Sequence, residues 1–162
     1  MGERSSRYGV VMSERPAPSA ALAAAAMREM APFEVRLTAH RRAVLGALEA
    51  AGRPLSVEEV VAAAGVPTST AYRNLSELVD CGVVARVAGA GGADRHELAE
   101  ALSHHHHHHM VCTRCGTVSD FDPSRQLERL IGREIEQILE ETGFAVDHHV
   151  FDVRGLCRRC RD

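Results

Sequence analysis

The chain has no lysine and no tryptophan, and only 4% of it is aromatic. All 19 of its cationic residues are therefore arginine, in a sequence rich in Ala, Gly and Val. That pattern reads as composition bias rather than as a functional signature. An excess of positive charge is also missing. A formal net charge of −3 argues against a generally basic nucleic-acid binder, but leaves room for a local basic face. No apolar run approaches the ~18 residues needed to span a bilayer. The first residues lack a short apolar core followed by a cleavage site, so no signal peptide is read there; Met12 is an alternative start. Together these absences point to the cytosol, where cysteines stay reduced. That setting favours metal or catalysis over disulfides for the four cysteines that come in pairs.

At 162 residues the chain is long enough for one ordinary domain or two small ones. Residues 1–17 mix Arg, Ser, Pro and Gly without periodicity and read as a disordered tail. Alanine content predicts a helix within 18–31, ended by Pro32. Thr38 reads as the N-cap of a second helix, which carries Val44, Leu45 and Leu48 on one face and stops at Gly52. Ser56 to Glu59 is a capping box for a third, which closes at Gly65. A fourth, TSTAYRNLSELVDC, follows the break at Pro67 and ends at Gly82.

The short Gly-containing turn between the last two has helix-turn-helix spacing. VVARVAGAGGADRHEL then predicts a hairpin with a glycine-rich tip, which makes the unit a winged helix. Its last helix is expected in the major groove, N-terminal residues nearest the bases. Ser69 and Thr70 can hydrogen-bond phosphate or base edges. Tyr72 offers a ring to thymine methyls, and Arg73 can pair with phosphate or read guanine. Arg41, with Arg42, Arg86 and Arg95, is a candidate phosphate contact. The competing reading is a plain three-helix packing unit with Tyr72 half-buried in its core.

The second half centres on HHHHHHMVCTRC, His104 to Cys115, in which twelve residues carry eight potential metal ligands. Cys112 and Cys115, with Cys157 and Cys160, form two Cys-x-x-Cys knuckles able to close a tetrahedral thiolate site. Such a closed site is structural, and a staple suits a unit of only about 60 residues. A redox pair or two disulfides are the alternatives. Cys81 stands alone and reads as a small buried apolar residue. An affinity tag is the bland account of the histidines, but tags sit at termini and this run is internal. If the run is extended, side chains alternate, so His105, His107 and His109 face one way and His104, His106 and His108 the other. One strand could then feed two sites. His148 and His149 likewise point oppositely. A His/carboxylate set without Cys suits Zn, Fe(II), Mn, Ni or Co. Around it, a linker from Leu98 to Ser103, a two-stranded turn through Phe121, a helix from Pro123 to Glu141 and a last strand AVDHHVFDVRG give a β-β-α-β order. The apolar stripe of that helix, from Leu127 to Leu139, reads as core or dimer interface.

LTAHRRAVL, STAYRNLSEL, RHELAEALSHHHHHHMVCTRCG and DHHVFDVRGLCRRC, in this order, resemble the ferric uptake regulator (Fur) family over roughly residues 33–160. The resemblance implies an α+β homodimer that is a metal-dependent transcription factor, usually a repressor of palindromic operators. It implies a winged-helix DNA-binding domain (18–97), a hinge (98–103) and a small α/β dimerisation domain (104–162). Structural zinc would sit on Cys112, Cys115, Cys157 and Cys160. The regulatory divalent metal, Zn, Fe(II) or Ni, matches Glu97, His107 and His109. A count without gaps gives Glu100 in place of Glu97, and Asp120 matches a carboxylate that some members add. The family's hinge histidine falls on Pro54, leaving His96 or His40 as substitutes; in peroxide sensors that missing histidine is an oxidation target. A second site would use His106, His108 and His149, with Glu128 one residue from the position that falls on Leu127. The readings set against a regulator are a zinc-dependent hydrolase and a His-rich metal buffer.

Overall fold

The computed structural model describes residues 15–103, 107–147 and 149–161. The expected tail lies mostly outside them. Its end, however, is laid down on the protein: the backbone of Pro16 and Ala17 crosses Gly46, where a Cβ would stand only 2.7 Å from it. Helix α1 (Ala20–Met30) opens on the Ser19 hydroxyl, which accepts from the Leu22 N–H, and buries Leu22, Ala23, Ala26 and Met30. Pro32 then turns the chain in a short 3-10 segment.

Helix α2 (Ala39–Ala51) is capped by Thr38. Helix α3 (Val57–Ala64) has the full capping box, Ser56 and Glu59 each bonding the other's backbone N–H. Helix α4 (Thr68–Asp80) buries Ala71, Asn74, Leu75 and Leu78 on one side. Strands β1 (Val84–Ala88) and β2 (Asp94–Leu98) pair antiparallel, with Arg86 opposite His96. A backbone bridge between Leu55 and His96 ties this hairpin to the loop before α3. Met30, Val44, Leu45, Val60, Leu75, Leu78 and Val83 form a fully enclosed core among the helices and the foot of the hairpin. This is the expected winged helix.

The linker differs from its expected form, because Glu100–Ser103 makes a helical turn (α5). Leu102 on that turn is buried in the helical core, so the connection is packed down rather than loose. Beyond it, β3 (His108–Cys112) pairs antiparallel with β4 (Val118–Phe121) and parallel with β5 (Asp152–Gly155), in the order β4-β3-β5. Helix α6 (Arg125–Thr142), capped by Ser124, is the crossover that parallel pairing requires. β5 is shorter than expected, since the described residues between Gly143 and Phe151 are irregular. A turn, α7 (Arg158–Arg161), carries the last cysteine. Helix α6 buries no residue, and Leu130, Ile138 and Leu139 are each more than 40% exposed. Its stripe is therefore not a core within one chain.

Candidate metal centres and DNA-facing surface

The four paired cysteines converge as expected. Their sulphurs lie within 4.8 Å of one another, with Cys115 Sγ 3.7 Å from Cys157 Sγ. A zinc–sulphur bond of about 2.3 Å in tetrahedral geometry gives sulphurs about 3.8 Å apart, so the spacing fits zinc. A disulfide needs about 2.05 Å, and all four are free thiols here. The hairpin turn brings in Cys112 and Cys115, and the strand β5 aligned with it brings in Cys157 and Cys160. The amides of Cys157 and Cys115 lower the Cys112 thiol to about 6. Burial and the neighbouring sulphurs push Cys160 up to about 12. Sulphurs this close resist ionising together, and a divalent cation among them removes that conflict.

A second cluster joins Glu97, His107, His109 and Asp120. Glu97 reaches it from β2 of the wing, His109 from β3 and Asp120 from β4. One Glu97 oxygen stands 3.2 Å from His107 Nε2 and the other 3.2 Å from His109 Nε2. The two rings meet edge to face, 5.1 Å apart. His109 Nε2 is 3.8 Å from Asp120 Oδ1. Burial depresses the basicity of His109, but Glu97 outweighs it with help from Asp120, so its pKa ends above the ordinary 6.5. Asp120 is raised, mainly by burial. Its Oδ1 is buried without a hydrogen-bond partner, as a carboxylate oxygen awaiting a cation would be. Four buried or half-buried N and O donors without sulphur fit a borderline or hard divalent ion. The geometry brings in Glu97, not Glu100.

Neither histidine considered as a substitute at the hinge joins this cluster. His96 neighbours Glu97 on β2 and so points to the opposite face. It is buried, with burial and Arg86 lowering its pKa. Asp152 was not foreseen. Its register position opposite His109 puts Oδ1 3.7 Å from His109 Nδ1, on the side of the ring away from Glu97. Its place follows from the parallel pairing of β3 with β5, which no local spacing announces.

The third cluster is His108, Glu128 and His149. His108 Nε2 lies 2.7 Å from Glu128 Oε1, and His149 Nε2 lies 3.9 Å from Glu128 Oε2. Phe121 and Phe151 flank the His108 ring. His106, expected here, lies outside the described residues, as do His104, His105 and His148. The expected alternation holds where it can be seen, with His108 and His109 on opposite faces of one strand.

On α4, Ser69, Tyr72 and Arg73 are exposed and Thr70 half-buried, all on the side away from the core. Tyr72 is 55% exposed, which removes it from the core. Arg41 is turned inward instead. Its guanidinium bonds Glu77 and the Arg36 carbonyl, leaving its side chain 12% exposed. Arg95 is likewise engaged within the protein, whereas Arg42 and Arg86 are open to solvent.

Residues 33–154 match the model of the ferric uptake regulator family. The chain belongs to that family. A peroxide-responsive repressor, PerR, of Staphylococcus saprophyticus is 31% identical over 134 residues, covering 79% of this chain and 84% of that protein. The ferric uptake regulator of Pseudomonas aeruginosa, solved with manganese, superposes with a TM-score of 0.62 at 28% identity, over 81% of this chain and 96% of that one. A zinc uptake regulator solved with zinc and DNA gives a TM-score of 0.52 at 26% identity, over 86% and 93%. Family membership accounts for the α+β architecture, a winged helix followed by a small dimerisation domain.

Proposed function

We propose that this Fur-family chain is a metal-responsive transcriptional repressor that binds palindromic operator DNA as a homodimer. The observation that carries the reading is the Glu97, His107, His109 and Asp120 cluster, because it takes one ligand from the wing and three from beyond the hinge. A divalent ion there supplies fixed positive charge that these four side chains can share. With an ion held there, Glu97 would bind the wing to β3 and β4 more tightly and so favour one placement of the winged helix relative to the dimer. Metal and DNA favour the same arrangement and raise each other's affinity.

In the same reading, residues 18–97 are the DNA-binding unit, 98–103 the hinge and 104–162 the dimerisation unit. Ser69, Thr70, Tyr72 and Arg73 face the operator, and Arg41 braces α2 on α4. Cys112, Cys115, Cys157 and Cys160 hold structural zinc; His108, Glu128 and His149, with His106, form a second metal site. The exposed stripe of α6 is covered by the partner protomer. No described helix is long and apolar enough to cross a membrane, and a cytoplasmic regulator is the reading adopted. The hydrolase and metal-buffer readings leave the winged helix without a role, and the regulator reading employs it.

The test is selection of duplexes from a random pool, with the thiolate zinc retained, in the presence and absence of Zn, Fe(II), Mn or Ni. Expected is enrichment of a palindrome that depends on one or more of these ions and is lost in Glu97→Gln. DNA affinity indifferent to every ion would sink the sensor.

A further inference from the structure

Arg95 sits two residues before Glu97 on β2, and therefore on the same face of the strand. It is only 14% exposed. Its Nε donates to the Gly116 carbonyl at 2.8 Å, in the turn that carries Cys112 and Cys115. One of its terminal nitrogens donates to Glu59 on α3 at 2.6 Å and to the Pro54 carbonyl at 3.2 Å. A single planar guanidinium thus joins the loop before α3 and α3 itself to the cysteine knuckle, which lies far from both in sequence. Its rigid fork of donors is what makes that possible.

The Glu59 carboxylate is fully committed to this junction. It also bonds Arg53 at 2.9 Å and the Ser56 amide at 2.8 Å. Gly116 has φ +69, so the knuckle turn presents this carbonyl from a conformation other residues adopt at a cost. Close by, Val87 of the wing packs with Val111 and Val118 of the sheet. Polar and apolar contacts therefore press the same hairpin onto the same surface.

We infer that Arg95 is the positioning residue of the regulatory site: it clamps the wing to the structural-zinc knuckle and so presents Glu97 to His107 and His109 before any ion arrives. The inference rests on the metal-sensor reading above. It assigns to an arginine, and not to a further metal ligand, the tie between the loop before α3 and the dimerisation unit. Glu97 is the single wing ligand in the cluster among the described residues. With the clamp in place, the ion does not have to close the two units by itself. The clamp also makes the metal-sensing geometry depend on the thiolate zinc, because loss of the knuckle turn removes the Gly116 acceptor.

The test uses full-length protein with zinc at the four cysteines, titrated with Co(II) as a spectroscopic probe of the His/carboxylate site. Amide hydrogen exchange is followed in parallel before Co(II) is added. In Arg95→Ala, Co(II) affinity should fall about tenfold, the loss typical of groups that orient metal ligands. Exchange at residues 113–116 and 57–59 should rise together, with zinc content unchanged. Arg95→Lys keeps the charge but not the fork and should fall between; Glu59→Gln should move both readouts in the same direction as Arg95→Ala. Wild-type affinity and exchange in all three variants, while Glu97→Gln abolishes Co(II) uptake, would overturn the clamp and leave the sensor reading intact. Absence of Co(II) uptake by the wild type would instead remove the site itself, and the positioning role with it.

Discussion

The two halves of this chain are held together by different means. The winged helix encloses some of the largest apolar side chains of the molecule, among them Met30, Leu45, Leu75 and Leu78, in a continuous core. Beyond the hinge, the buried apolar cluster among the described residues consists of Val111 and Val118, completed by Val87 from the wing. The first half can be stabilised by hydrophobic burial alone. The second cannot, and what it has in place of a core is four thiols, two His/carboxylate clusters and an uncovered helix stripe. On the proposed function, metal and partner are thus part of its fold as well as of its activity.

Removing zinc from the thiolate site should separate the two halves most severely. Chelation, or Cys112→Ser, should forfeit on the order of 10 kcal/mol of metal-coupled folding energy. Amide exchange should show β3–β5 opened while α1–α4 stay protected; equal loss in both halves would mean they form one cooperative unit. Leu75→Ala is the converse. It should cost about 2–5 kcal/mol in a thermal or denaturant melt of the winged helix, with zinc content unchanged. Third in size is Ile138→Asp on α6. It removes an apolar group worth about 1.5–3 kcal/mol when buried and adds a charge, so sedimentation should show a weakened dimer while one protomer's secondary structure persists. The smallest effect concerns Glu59, whose carboxyl Arg53, the Ser56 amide and Arg95 hold at about 2 against the penalty of burial. A depressed carboxyl stabilises the folded state above its ordinary 4.5 and loses that contribution as pH falls toward 2. Glu59→Gln should therefore flatten the stability profile in that window, by less than about 1 kcal/mol because the group is partly solvated.

Local chemistry was legible before the structure. Thr38, Ser56, Gly52 and Gly65 bound their helices because capping involves residues a few positions apart. The cysteine knuckles and the split of His108 from His109 were legible for the same reason, since spacing and strand alternation are short-range. Glu97 was reached only through the resemblance, while an ungapped count gave Glu100; what separates the two is a helical turn in the hinge that no periodicity announces. Arg95 and Arg41 were read as phosphate contacts because an isolated arginine carries no sign of its partner. Their partners, Gly116 and Glu77, lie 21 and 36 residues away. Asp152 meets His109 only through the parallel register of β3 and β5, a pairing set by the whole crossover.

One peptide bond separates His108 from His109, yet the two rings belong to different clusters. Their shared backbone cannot be ordered for one without being ordered for the other. A shift of β3 in register or tilt would therefore displace a donor of each cluster at once, one on either face of the strand. One stretch of backbone thus serves two neighbourhoods, Glu97 with Asp120 around His109 and Glu128 with His149 around His108, and a change at either residue reaches both.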